Sequence, residues 1–99
     1  MITIDGKPNY EGTEYFVLTV GDEPVCLNFT FQADDIMIST PETDMLVSWD
    51  TDGFSEDQCF LMKTFDNLKE FSNLKCTKFY LKSNVPGKQS KVYLVAQRN

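Results

Sequence analysis

The chain has 99 residues, fifteen acidic and nine basic, and a formal net charge of −6 with no histidine. Its length suits a single compact domain, residues 1–99, with one core rather than two. An ordinary apolar content and eight phenylalanines exclude a disordered chain, and no apolar run reaches the roughly 20 residues of a membrane-spanning helix.

In chain order, residues 1–5 read as a short apolar strand ended by Gly6, and 8–12 as a polar loop. Residues 13–20 are rich in aromatic and β-branched side chains and predict a second strand. Gly21-Asp22-Glu23-Pro24 is a turn. The following stretch, 25–32, has the strictest alternation in the chain, with Val25, Leu27, Phe29 and Phe31 against Cys26, Asn28, Thr30 and Gln32. Turns at Ala33-Asp34-Asp35 and 41–44 separate strands at 36–39 and 45–49, and spacings this short predict antiparallel meander connections.

Residues 55–73 predict the one amphipathic helix. Phe54, Leu61, Phe65 and Leu68 fall within about 60° of one another at 100° per residue. Ser55 and Gln58 form a capping box, with Glu56 and Asp57 in the first turn and Asn73 and Lys75 at the end. A competing reading makes 59–62 a buried strand and starts a shorter helix at Thr64. Two strands, 76–82 and 91–97, then form a C-terminal β-hairpin around Pro86-Gly87. The expected fold class is therefore α+β: a twisted antiparallel sheet meander of about seven strands with one helix.

Charge divides the chain. Up to Met62 there are thirteen acidic residues against Lys7, and from Lys63 there are eight basic residues against Asp66 and Glu70. Two candidate surfaces follow. Asp34, Asp35, Glu42, Asp44, Asp50, Asp52, Glu56 and Asp57 lie in successive turns, which at one end of a meander would form an acidic rim able to imitate duplex phosphates. The competing reading is solubility charge in turns that favour Asp anyway. In the expected hairpin Lys82 opposes Lys91, so Lys78, Tyr80, Lys82, Lys91 and Tyr93 would share an anion-binding face, with Phe79, Leu81, Val92 and Leu94 on the other side. Its competing reading is an outer solvated face in a chain too acidic to attract a polyanion.

Other chemistry finds little support. Without histidine or paired ligand spacing no metal site is expected, and no other cofactor. Asp50-Thr51-Asp52-Gly53 resembles part of a calcium loop, but Ser48 and Cys59 would stand at two defining ligand positions. No nucleophile motif or phosphate-cradling loop occurs, so an enzyme is not expected. Cys26, Cys59 and Cys76 are an odd number without C-x-x-C spacing and suit a reducing compartment. Nothing in MITIDGKPNY resembles a secretory signal, and a complete cytoplasmic chain, in a host cytoplasm if viral, is expected.

The function these features suggest is a small acidic, non-enzymatic, macromolecule-binding protein. By compositional analogy it would be an inhibitor of the phage-encoded, anti-CRISPR-like kind. Its acidic rim would occupy the basic groove of a nucleic-acid-binding protein or complex, with Tyr10, Tyr15 or Phe54 as apolar anchors. Two alternatives are a self-assembling viral or structural subunit, a homo-oligomer using the charge split, and a single-strand nucleic-acid binder using the Lys/Tyr hairpin.

Overall fold

All seven strands expected outside the helix form, but they pair across two sheets instead of following one another in a meander. The computed structural model describes residues 1–7, 12–39, 41–49, 54, 59–64 and 68–99. Within them the chain runs β1 (Ile2–Asp5), β2 (Thr13–Val20), β3 (Val25–Ala33), β4 (Asp35–Ile38), β5 (Met45–Ser48), β6 (Phe60–Met62), β7 (Lys69–Phe71), β8 (Cys76–Ser83) and β9 (Ser90–Gln97). One sheet has the order β1-β3-β8-β5-β6 and the other β2-β9-β4-β7. Consecutive strands mostly change sheet, so the short turns carry the chain across the sandwich. Even β1 pairs with β3 in parallel.

The α+β expectation is overturned: the described residues hold no helix and the fold is all-β. Where the helix was placed, β6 pairs with β5, Met45 opposite Met62 and Val47 opposite Phe60. Further on, β7 pairs with β4, Ile36 opposite Phe71. Residues 55–58 and 65–67 of the same stretch lie outside the described residues. A helical apolar stripe is a local signal. Edge pairing with strands from another part of the chain outweighs it, because ladder bonds and sheet burial act together. Leu68, assigned to the buried stripe, is 59% exposed, whereas Phe71, three residues on in β7, is buried.

The core lies between the sheets. Phe79, Leu27, Leu81, Ile36, Ile38 and Leu94 are all essentially inaccessible, and they come from alternate positions on β8, β3, β4 and β9. The two lateral sides of the sandwich differ. Where β6 and β7 face each other, an aromatic cluster closes the gap. Trp49 stacks on Phe79 with ring centroids 6.0 Å apart, and Phe71 lies 5.0 Å from Trp49 and 5.5 Å from Phe60. Lys69 adds its ammonium 4.7 Å above the Phe60 ring. Opposite, where β1 and β2 form the two sheet ends, the described residues leave a cleft between the sheets.

Cys26 and Cys76 are buried and Cys59 half-buried, all three as free thiols. Burial pushes the Cys26 thiol above its ordinary value of 9.0, against smaller lowering effects of a Tyr80 hydrogen bond and the Lys78 charge, so it stays protonated.

Candidate functional site

Four carboxylates of the expected acidic rim are among the described residues, and all four accept hydrogen bonds from backbone N–H groups. Asp34 and Asp35 stand at the start of β4, and Glu42 and Asp44 follow its other end. Each of the four accepts from a backbone N–H of a segment distant in sequence. Asp34 Oδ2 accepts from the Asn99 N–H at 2.8 Å, and Asp35 Oδ1 from that of Asn73 at 3.2 Å. Asn73 has a left-handed φ of 59°, so this bond holds a turn that needs fixing. Glu42 Oε1 accepts from the Lys91 N–H at 2.9 Å. Asp44 accepts from the Thr64 N–H at 3.1 Å and pairs with Lys63 Nζ at 3.3 Å. Asp50, Asp52, Glu56 and Asp57 lie outside the described residues, as does the calcium-like loop 50–53. Of the eight carboxylates that duplex mimicry needs on one rim, these four stand at the two ends of β4 and the other four are outside the described residues.

The expected Lys/Tyr hairpin is also taken apart. β8 pairs with β3 and β5, and β9 with β2 and β4, so the two strands belong to different sheets. Lys78, Tyr80 and Lys82 lie opposite Asn28, Cys26 and Leu46, on the outer side of the five-stranded sheet, and Tyr80 is buried there. Lys91 and Tyr93 lie on the outer side of the other sheet, with the Lys91 ammonium 5.5 Å from the Tyr93 ring. The sidedness of each strand was legible, and Phe79, Leu81, Val92 and Leu94 do point inward. The pairing was not, because the loop 83–90 crosses between sheets rather than folding back.

Breaking the hairpin assembles a different surface. β2 pairs with β9 so that Tyr15 opposes Val95 and Val17 opposes Tyr93, and β4 brings Met37 against Val95. Tyr15 is 73% exposed, Val17 60% and Tyr93 52%. Three large apolar side chains on adjacent strands thus form one outward patch, with Met37 and Val95 half-buried beside it. Of the three anchors expected from sequence, Tyr15 is in this patch, Phe54 is half-buried and Tyr10 lies outside the described residues. Val17 and Tyr93 were missed as partners of Tyr15. Residues 13–20 carry apolar side chains on both faces, and only the pairing shows which face is bare.

Beside the patch, at the open side, lies a cleft of about 390 Å³ lined by Ile4, Asp5, Gly6 and Lys7 of one sheet end and by residues from Glu14 to Leu18 of the other. Glu14 is the one buried carboxylate among the described residues, 2% exposed on the inner side of β2. Its Oε1 accepts from the Thr30 backbone N–H at 2.7 Å and from the Thr30 hydroxyl at 2.8 Å. β1 accompanies β3 only as far as Asp5 opposite Asn28, and the Gly6 N–H then donates to the Asn28 carbonyl at 2.7 Å. Beyond that point the Glu14 carboxylate replaces β1 as partner of the β3 backbone. The other oxygen, Oε2, is buried without a hydrogen-bond partner and lies against Gly6, where a side chain would collide with it.

No protein-family description matches the chain, and no curated protein matches it. Among solved structures it is similar to a Neisseria meningitidis protein, with 11% identity and a TM-score of 0.52 over 92% of this chain and 80% of that one. It is also similar to a cupin-2 domain containing protein from Shewanella frigidimarina, with 9% identity and a TM-score of 0.50 over 92% and 76%. The fold is cupin-like. Identities this low establish architecture alone, and function must be argued from this chain's own side chains. Cupin-like folds often hold metal ions, but the described residues of the interior do not fit one. The sequence has no histidine, the inner faces are lined by residues such as Phe16, Phe29, Ile36 and Phe79, and no three acidic or cysteine side chains converge among the described residues. Nor is any helix among the described residues long and apolar enough to cross a membrane.

Proposed function

We propose that this cupin-like domain works by binding a protein partner, with the outer face of the four-stranded sheet as its docking surface. The observation that carries the reading is the cluster of Tyr15, Val17 and Tyr93, exposed side by side on paired strands. Aromatic side chains held on a rigid sheet cost little conformational entropy to immobilise and are frequent energetic centres of interfaces. The partner expected is basic. A chain of net charge −6 speeds encounter with a positively charged protein and repels acidic ones, while the apolar patch, with the Lys91 ammonium at its Tyr93 edge, supplies the short-range contact. Catalysis gains no comparable support from any cluster of side chains among the described residues.

The reading is tested by affinity retention with wild-type protein and a Tyr15→Ser/Tyr93→Ser variant as parallel baits. Basic proteins retained by the wild type at low salt should be lost at high salt, and lost from the variant at both. Equal retention by the two baits contradicts the proposal. So does a concentration-dependent doubling of solution mass abolished by the same substitutions, which would make a second copy the occupant.

A further inference from the structure

The open side of the sandwich carries a second, more specific feature. β2 ends its sheet, and no described strand pairs with its free edge. Natural edge strands are usually protected by proline, by outward or inward-pointing charge, by bulges or by a covering loop. Along Glu14–Leu18 β2 contains no proline, pairs with β9 in unbroken register and points only Tyr15 and Val17 outward, so an inward charge is its one such device. Its one charge in this stretch, Glu14, points inward at the cleft between β1 and β2. That carboxylate has one oxygen saturated by Thr30 and the other without a partner. A buried carboxylate oxygen lacking a donor is costly, and the group that would relieve it is a cation or an N–H.

We infer that the cleft receives an extended basic segment of the partner protein, which adds to the free edge of β2 as a fifth strand and presents a lysine or arginine side chain to Glu14 Oε2. The inference rests on the binding reading above and names the chemistry of its partner. Side-chain direction agrees with it. A residue placed opposite Glu14 on an added strand points inward as Glu14 does, so an opposite charge there forms a cross-strand pair. Ile4 and Leu18 in the cleft walls are half-buried and suit the methylene stem of such a side chain, and of the two other charges in the lining Asp5 attracts it while Lys7 opposes it. Main-chain bonds along β2 supply affinity without sequence preference, and Glu14 selects the basic residue.

The test is an NMR titration of ¹⁵N-labelled full-length protein with a capped heptapeptide of alternating threonine and valine carrying one central lysine. A second peptide replaces that lysine with uncharged norleucine. Saturable shifts at Gly6 and from Glu14 to Leu18 are expected, with slowed amide exchange along β2. Binding should weaken at least tenfold for the norleucine peptide, and Glu14→Gln should bind both peptides alike. Equal binding of the two peptides by the wild type overturns the inference, whether or not the variant folds. Absence of saturable shifts along β2 overturns it too, as does concentration-dependent β2 protection without peptide. Failure here while the Tyr15→Ser/Tyr93→Ser bait loses its proteins leaves the docking face standing and removes only the strand addition. Peptide binding with unaltered bait retention supports the cleft and contradicts the face.

Discussion

Replacing Phe79 with alanine is expected to cost about 4 kcal/mol of unfolding free energy, the range for truncating a fully buried Phe. Phe79 is wholly inaccessible and stacked under Trp49, with Phe71 of the opposite sheet 6.1 Å away. It is the ring through which the aromatic cluster joins β8 to β7 and closes that side of the sandwich. Its loss removes buried apolar area and leaves a cavity that flanking rings on two different sheets cannot collapse to fill. Since small domains are stable by only about 5–15 kcal/mol, the variant should show a markedly lower urea midpoint with an unchanged slope. A cost below about 1 kcal/mol would mean that the cluster is not the seal described.

Gly6 and Glu14 predict a reversal of sign. In the wild-type background Gly6→Ala drives a methyl group into the Glu14 carboxylate, which cannot turn outward without giving up both Thr30 bonds. Loss of hydrogen bonds to a charged acceptor puts the cost at about 2 kcal/mol. With Glu14→Ala already in place the obstacle is gone. Gly6 does not sit in the left-handed region, so the added methyl then only restricts the unfolded chain, stabilising by about 0.5 kcal/mol. Urea unfolding of the four proteins of this cycle should therefore give a coupling of about 2–3 kcal/mol. Additive effects would contradict the close approach of Gly6 to the carboxylate.

The residues that were legible in the sequence are those governed by local alternation. Strand β3 stands out because Leu27 and Phe29 face the core while Asn28 and Thr30 do not, and the sidedness of β8 and β9 follows from the same rule. What was not legible depends on pairing between distant segments. Nothing near Phe71 announces Ile36 as its partner, and nothing near Tyr93 announces Val17 rather than Tyr80. The apolar residues from Leu61 to Leu68 match a helical period by spacing alone, yet sheet ends at β4 and β5 were available to take β7 and β6. The turn carboxylates illustrate the same limit. Asp35 and Glu42 look like free surface charge until the backbone N–H groups they cap come into view. Glu14 was invisible for a further reason, because its role depends on the missing side chain of Gly6.

The patch of Tyr15, Val17 and Tyr93, proposed above as a docking face, exists only because β9 leaves β8 and pairs with β2. That pairing is tested most directly by cross-strand NMR contacts in the uniformly labelled protein. Main-chain proximity of Val17 to Tyr93 and of Cys26 to Tyr80 is expected, with no contact between Tyr80 and Tyr93. A direct Tyr80–Tyr93 contact would restore the hairpin, return both rings to one surface, and contradict the docking face and the cleft together.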